Sequence, residues 1–199
     1  MLLEWTQFAN PLISAASGLI GVAVGAWMTG RHQASERRYR YLLQQLTEFY
    51  SPMLGMREQI RIKSEIRLKI SNAAGTAWPE LVADAQEAGL DAVQELQEKR
   101  WPGFERIIEY ENRQFEQETL PLYRQMLQLF TAKSHPAEAS TRSHHSQLIE
   151  FVEIWDRWLG AALPPEVLKR LEHDEERLQP LYQDLAAHFE RLQARLRHG

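Results

Sequence analysis

The sequence contains no cysteine in its 199 residues. This absence excludes disulfide bonds, thiol nucleophiles, cysteine-based zinc sites and lipoprotein-type acylation. Glycine and proline are also scarce, with ten and nine residues respectively. The apolar fraction of 44% and the charged fraction of 25% are ordinary for a folded protein and argue against wholesale disorder. Because the net charge is −4, the chain as a whole is not expected to bind nucleic acid.

Motifs that bind phosphate, dinucleotides or metals are missing as well. No GxxxxGK, GxGxxG or HExxH pattern occurs, and no Glu stands three residues before a His, as it does in di-iron bundles. His135, His144 and His145 lie in one segment that has few carboxylates, so we do not expect a metal site there. The glutamates between Glu105 and Glu118 alternate with arginines, which is typical of an exposed charged helix. We therefore predict no catalytic residue, no metal and no cofactor.

Residues 5–30 form 26 consecutive positions without a charged side chain. At about 1.5 Å per residue, a helix of this length spans roughly 39 Å, against about 30 Å for the hydrocarbon core of a bilayer. Trp5, Phe8 and Trp27 stand near its two ends, where aromatic rings favour the headgroup layer. We predict an external N-terminus and a transmembrane helix within residues 1–30. A cleaved signal peptide, although no positive charge precedes the run, and a buried core helix are the alternatives.

Positive charge flanks this run on one side only, at Arg31, Arg37, Arg38 and Arg40. Because positively charged flanks stay in the cytoplasm, we expect residues 31–199 to be cytoplasmic and the membrane to be a bacterial inner membrane. The same four arginines are predicted to contact the headgroups of anionic membrane lipid.

Small residues recur at four-residue spacing within the run, at Ser17, Gly21 and Gly25. In lipid, such a stripe lets two helix backbones approach closely, and this contact replaces the missing hydrophobic driving force. We therefore predict that the transmembrane helix associates with a second copy, so that the protein is a homo-oligomer. The alternative is that Gly and Ala merely populate the span, as they do in many transmembrane helices.

Charge divides the remaining chain into two regions. Residues 31–70 contain nine basic and four acidic side chains, whereas residues 71–199 contain 14 basic and 22 acidic ones. This contrast predicts a basic juxtamembrane helical region and an acidic helical bundle. Five cations of the basic region form a possible surface for an anion or a protein partner: Arg57, Arg61, Lys63, Arg67 and Lys69. The alternative is a solvated or internally paired face.

Apolar periodicity predicts helices throughout residues 31–199. Residues 60–70 alternate with a period of two, which favours a strand, but no partner strand is evident and Arg61, Glu65 and Lys69 suit a helix. Glycine and proline predict a loop at 72–76, helix starts at Trp78-Pro79, Trp101-Pro102 and Pro121, and helix ends at Gly89 and Gly160. A further loop is predicted at 132–146.

Two apolar stripes are predicted to build the core. The first comprises Leu148, Phe151, Val152, Trp155, Trp158 and Leu159, and the second comprises Leu178, Leu181, Leu185, Leu192 and Leu196. The predicted fold class is all-α, with one N-terminal transmembrane helix followed by a cytoplasmic bundle of five to seven helices.

One short segment, Phe49-Tyr50-Ser51-Pro52-Met53-Leu54, follows the glycine-rich run and its arginine flank. This order of features resembles uncharacterised bacterial single-span proteins that carry a helical cytoplasmic domain. The resemblance covers the architecture and this segment, and it implies a bacterial inner membrane. It carries no catalytic or binding residues over to this chain.

Three functions remain open at this point. The first is a non-enzymatic, membrane-anchored protein that self-associates and presents its cytoplasmic bundle to an unidentified protein partner or a stimulus. The second is an oligomeric effector of bacterial defence type that perturbs or permeabilises the membrane, although the run carries no charge to line a pore. The third is a tethered enzyme, for which only Arg191 and His198 approach a known spacing, that of HEPN-type RNases.

Overall fold

The computed structural model describes residue 33 and residues 35–197, and every regular element within this part of the chain is a helix. The predicted all-α class is therefore confirmed. The predicted transmembrane helix at 1–30 lies outside the described residues, together with Ser17, Gly21, Gly25 and Arg31. Among the helices that are described, none combines the length and the apolar character needed to cross a bilayer.

The first described helix runs without a break into the longest one. Residues 35–45 form helix α1, a π-helical turn follows at Leu46–Tyr50, and helix α2 extends over Ser51–Ala88. Pro52 is the second residue of α2 and follows directly on the π-helical turn, so its missing N–H falls where the hydrogen-bond pattern changes from π-helical to α-helical. Residues 60–70 lie inside α2, so the prediction of a helix over a strand is confirmed.

Three predicted boundaries are wrong, because α2 and α3 continue through them. The predicted loop at 72–76 is helical, and Pro79 and Pro102 lie inside helices instead of starting them. An interior proline costs a helix about 3 kcal/mol, so packing must offset that cost. The rings next to the two prolines contribute to that packing: Trp78 lies 5.0 Å from Trp101 and 5.1 Å from Phe104 between centroids.

Helix α2 ends at Gly89, as the sequence predicts, and helix α3 occupies Leu90–Gln114. The two helices pack against each other as an antiparallel hairpin. We define the hairpin as residues 61–114, because Ile60 is the last buried residue of α2 and no residue between 61 and 114 is buried. A second π-helical turn at Phe115–Thr119 then leads directly into helix α4, Leu120–Lys133.

Gly89 joins the two helices with φ 113° and ψ 174°. This region of backbone space is open essentially to glycine alone, at a cost of about 1–3 kcal/mol for other residues. We expect Gly89→Ala to lower the free energy of unfolding by that amount in chemical denaturation followed by circular dichroism. Gly75→Ala is the matched control. It lies inside α2 with open space around it, so it should raise stability by about 0.5–1 kcal/mol. Equal effects of the two substitutions would contradict the strained turn.

The second half of the chain returns to the bundle in shorter helices. Only residues 134–138 and His144 of the predicted 132–146 loop are non-helical, because a short helix, α5, forms at Ala139–Ser143. The remaining elements are α6 at His145–Leu159, α7 at Pro165–Arg170, a 3₁₀ turn at Glu175–Leu178 and α8 at Gln179–Arg197. Gly160 ends α6 as predicted.

The core lies between the start of α2 and helices α4, α6 and α8. Both predicted stripes contribute to it, although Trp155 and Leu196 are only partly buried. The prediction is wrong at the end of the first stripe, where Leu159 is exposed and Trp158 lies outside the core. The largest fully buried side chains are Tyr50, Tyr123, Phe49, Phe130, Met53 and Ile60. Because the core ends at Ile60, the hairpin extends from the bundle and is stabilised mainly by contacts between its own two helices.

Candidate functional site

A cavity of about 60 Å³ lies where the hairpin joins the bundle. Elements that are distant in the sequence meet around it: α2, α3, the second π-helical turn, α4, α6 and the 3₁₀ turn. Its lining residues are Lys63, Ser64, Arg67, Glu111, Gln114, Phe115, Thr119, Tyr123, Phe151, Trp155 and Glu175. We call this cavity the junction cavity.

The second π-helical turn shapes one wall of the junction cavity. It places both Phe115 and Thr119 at the cavity, directly after Glu111 and Gln114 of α3. A π-helical turn inserts an extra residue into a helix and so re-aims the side chains that follow it, and such turns are frequent at functional sites. The sequence offered no signal for this turn, because its Glu-rich stretch reads as an ordinary helical surface.

Two residues that line the junction cavity each have a buried polar atom without a hydrogen-bond partner among the described residues. One is Oε1 of Glu111, an acceptor, and the other is Nε1 of Trp155, a donor. Buried polar groups in folded proteins are almost always hydrogen-bonded. Both atoms are enclosed by the surrounding protein, so neither is exposed to the space inside the cavity.

Aromatic rings surround the Trp155 end of the cavity. The Trp155 ring lies 4.6 Å from Phe115 and 6.5 Å from Phe151 between centroids, in edge-to-face geometry. On its outer side Trp155 lies 5.7 Å from His173, whose Nε2 contacts the Phe151 carbonyl oxygen at 3.0 Å. Burial lowers the pKa of His173 below its ordinary value, so the imidazole beside Trp155 favours its neutral form.

Ser64, Tyr123 and Glu175 of the cavity lining belong to a group of polar contacts that also includes Tyr182, which lies outside the lining. Tyr182 lies 3.4 Å from both the Tyr123 hydroxyl and Oε1 of Glu175, while the Ser64 hydroxyl lies 3.4 Å from Oε2 of Glu175. Burial raises the pKa of both Tyr123 and Tyr182. The two phenols therefore stay protonated at neutral pH and act as hydrogen-bonding groups.

The five predicted cations of the basic region lie on different sides of α2. Arg57 stacks over the Tyr182 ring at 4.6 Å, and Arg61 pairs with Glu58 and Glu65 along its own helix. Lys63 pairs with Glu118 and Arg67 lines the junction cavity, whereas Lys69 is exposed. The Lys63 ammonium lowers the pKa of Glu118 through their hydrogen bond. The five cations therefore do not form one continuous surface. Only Lys63 and Arg67 lie at the same place, the junction cavity.

The arginines predicted at the lipid headgroups lie on α1, except for Arg31, which is not described. Arg37, Arg38 and Arg40 are all exposed. Arg40 pairs with Glu36 at 3.1 Å, and both side chains are largely in solvent. Such an exposed pair contributes little to stability, so the three guanidinium groups are free to meet another surface.

A polar network that the sequence did not predict links the chain segment between α4 and α6, residues 134–144, to helix α8. Ser140 Oγ lies 2.9 Å from Nε2 of His188, and Asp184 Oδ1 lies 3.4 Å from the same nitrogen. The residue types are those of a Ser-His-Asp triad, but a triad needs the carboxylate on the other ring nitrogen. Here that nitrogen, Nδ1, lies 3.4 Å from Arg191. The network is a structural tie between elements, for which the Asp184–His188 spacing of four was the one sequence signal.

The histidines considered for metal binding make other contacts. His145 lies 3.1 Å from the Thr131 hydroxyl, and His144 lies 3.0 Å from the Gln147 amide oxygen. Across the described ranges, no cluster of three His, Asp or Glu side chains is arranged to hold a metal ion.

Exposed isoleucines mark one face of the hairpin. Ile62, Ile66 and Ile70 follow one another at four-residue spacing on α2, with 45%, 53% and 42% of each residue exposed. Residues with this spacing share a helix face, and Ala73 and Ala77 continue it. We call these five residues the isoleucine stripe. The alternation over residues 60–70 does not reveal which isoleucines stay exposed, so this stripe could not be predicted from it.

Comparison with known proteins adds no relative: the chain matches no protein-family model, no curated protein and no solved structure.

Proposed function

We propose that this chain is a membrane-anchored, non-enzymatic protein of the bacterial inner membrane that self-associates and presents a cytoplasmic helical bundle to a protein partner. The uncharged run at 5–30 and its arginine flank support the anchor and its orientation. Lipid headgroups would then contact the arginines at the start of α1.

The main observation in support of self-association is the exposed isoleucine stripe on α2. Contiguous exposed apolar side chains on a soluble surface mark interaction sites. The stripe lies on the hairpin part of α2, where its three isoleucines are exposed, and its small members at Ala73 and Ala77 permit close approach of a second helix.

The anchor determines how two stripes would meet. Two copies held in one membrane by the same N-terminal span point their α2 helices in the same direction. A two-fold axis along the membrane normal then sets each residue of the stripe opposite its own counterpart. Ser17, Gly21 and Gly25 would continue the same axis within the bilayer.

Single-cysteine cross-linking tests this arrangement, because the chain contains no cysteine of its own. In membranes that contain the full-length protein, we expect Ala73→Cys to form a covalent dimer on mild oxidation. Leu68→Cys is the control, since Leu68 is 61% exposed but lies on another side of α2. Equal dimer yields from the two variants would contradict the stripe.

Two further substitutions separate the contributions of the stripe and the span. Adding Ile66→Asp to Ala73→Cys should reduce the dimer yield about tenfold, a loss of about 1.4 kcal/mol, whereas adding Leu68→Asp should not. Adding Gly21→Leu and Gly25→Leu tests the span in the same assay. The anchor itself is tested by an alkaline wash of membranes, which should release residues 31–199 expressed alone and retain the full-length chain.

A further inference from the structure

The segment between α6 and the 3₁₀ turn packs only weakly on the bundle. It contains α7, in which no residue is buried, and the apolar side chains of Val167 and Leu171 are exposed. Ala161 stands at one end of this segment and Glu172 at the other, with positive φ values of 53° and 46°. We call residues 161–172 the α7 strap.

The two positive φ values place backbone strain at both ends of the α7 strap. This left-handed conformation is unfavourable for residues other than glycine, and it persists only where surrounding contacts hold it. Because α7 buries no residue of its own, the contacts that hold the α7 strap lie next to it in the sequence. On its C-terminal side, the first of these contacts is made by His173.

His173 packs against helix α6. Its imidazole ring lies 4.8 Å from the Phe151 ring and 5.7 Å from the Trp155 ring between centroids. Nε2 lies 3.0 Å from the Phe151 carbonyl oxygen, and a carbonyl oxygen only accepts hydrogen bonds. The contact therefore assigns the proton of the neutral ring to Nε2 and leaves Nδ1 as the basic nitrogen.

Nδ1 of His173 is buried and has no hydrogen-bond partner among the described residues. A proton on this nitrogen would create a charged N–H that reaches neither water nor an acceptor, and such a group is costly to bury. The neutral ring carries no such charge. The ring is therefore stable beside Phe151 and Trp155 only while it is neutral.

The charged groups around His173 do not remove this cost. Glu150 of α6 and Arg177 of the 3₁₀ turn line a cavity of about 70 Å³ with His173 and pair with each other at 3.3 Å, while Asp174 is exposed. Burial outweighs the attraction of the two carboxylates, so the pKa of His173 is lowered. Since the pKa is lower with the ring in place than in water, a falling pH favours release of the ring, beginning near the ordinary histidine value of about 6.5.

From these observations we propose that the α7 strap is a pH-sensitive switch whose closed state is held by neutral His173. When the α7 strap opens, Nδ1 reaches water and takes up a proton, and the charged ring does not return to α6. The strained residues at both ends relax, and the rings of Phe151 and Trp155 are uncovered. This inference goes beyond the proposed function and does not depend on the anchor or on self-association.

Amide hydrogen exchange of the full-length chain in detergent tests the switch. The reporters are the amides of Val167, Leu168 and Leu171, which donate to backbone carbonyls in and next to α7. A helix of six residues is not stable by itself, so these hydrogen bonds break when the α7 strap is released.

After correction for the intrinsic effect of pH on exchange, protection of the α7 strap should fall about three- to tenfold from about pH 7.5 to about pH 5.5. Tenfold is the limit for one group that titrates near about pH 6.5 in the open state and stays neutral in the closed state. At both pH values the α7 strap should be protected at least about tenfold less than residues 181–192 of α8, because it opens locally.

Two variants assign the effect to one imidazole. His173→Phe keeps an aromatic ring against α6 but cannot take up a proton, so its strap should have equal protection at both pH values. His135→Phe is the matched control, because His135 is exposed, and it should keep the pH dependence of the unmodified chain.

Three results would overturn the proposal. The first is strap protection in the unmodified chain that does not change with pH, and the second is protection as high as that of α8. Both are read without any substitution, so they decide the question even where His173→Phe fails to fold. The third is a pH dependence that persists in His173→Phe.

Discussion

Replacing Phe130 with alanine is expected to lower the free energy of unfolding by about 3–5 kcal/mol, the range observed for large aromatic residues in cores. Phe130 is fully buried on α4. Its ring lies 5.3 Å from Phe49 and 4.8 Å from His145 between centroids, so it connects α4 to both the first π-helical turn and α6. The alanine variant removes the ring and leaves a cavity that these neighbours can fill only in part.

The measurement is urea denaturation of the full-length chain, followed by circular dichroism at 222 nm. Ile149→Ala is the control, since Ile149 lies on α6 with 44% of its surface exposed and should lose less than about 1 kcal/mol. Phe130→Leu should fall between the two. If Phe130→Ala lost no more stability than Ile149→Ala, the core would not be organised around α4 as described.

Much of the bundle could be predicted from the sequence, because its helices bury one apolar face. Leu148 and Phe151 on α6, and Leu181 and Leu185 on α8, recur at helical spacing and are buried. Periodicity reports such faces directly. Gly89 was also predictable, since the chain reverses there in a conformation that other residues avoid.

The hairpin was harder to predict, because proline and glycine signals there conflict with packing. Pro79 and Pro102 are usual helix starts, but each lies inside a helix, next to a tryptophan that packs in the cluster of Trp78, Trp101 and Phe104. This pairing joins residues that lie on different helices. Sequence patterns within a few residues of each proline do not report a contact between two helices, so the true length of α2 could not be predicted from the sequence.

The junction cavity depends on the same kind of distant contact. Glu111 belongs to a segment that reads as an exposed charged helix, and Trp155 belongs to an apolar stripe that reads as core. Only the return of α6 against the second π-helical turn brings the two side chains to one cavity. Lys63 and Arg67 were singled out from charge alone, and the structure gives them a shared location that charge could not predict.

Thr141 should be the most sensitive polar residue of the bundle. It is fully buried, and its hydroxyl donates to Oδ2 of Asp184 at 2.5 Å. Because the Thr141 hydroxyl proton is already donated to Asp184, the Tyr50 hydroxyl, 3.0 Å away, must donate its own proton to Thr141. The Tyr50 oxygen in turn accepts a hydrogen bond from the backbone N–H of Glu138 at 3.1 Å. Burial raises the pKa of Tyr50, which keeps this donor protonated.

Thr141→Val keeps the shape of the side chain but leaves the Tyr50 hydroxyl without an acceptor and Oδ2 of Asp184 without a donor. We expect a loss of about 2–3 kcal/mol in the same denaturation assay, because buried polar groups are costly to leave unpaired. Thr131→Val is the control: Thr131 is exposed and lies 3.1 Å from His145, so its loss should stay near 0.5 kcal/mol or below.

A second substitution separates the network from simple packing. In Thr141→Val combined with Tyr50→Phe, the donor and its acceptor are both removed, so no hydroxyl of this pair is left unsatisfied. The double variant should therefore lose less stability than the sum of the two single variants, by about 0.5–3 kcal/mol. Strict additivity would mean that Tyr50 and Thr141 act independently. The α4–α6 connection would then be held against α8 by its apolar contacts instead of by this chain of hydrogen bonds.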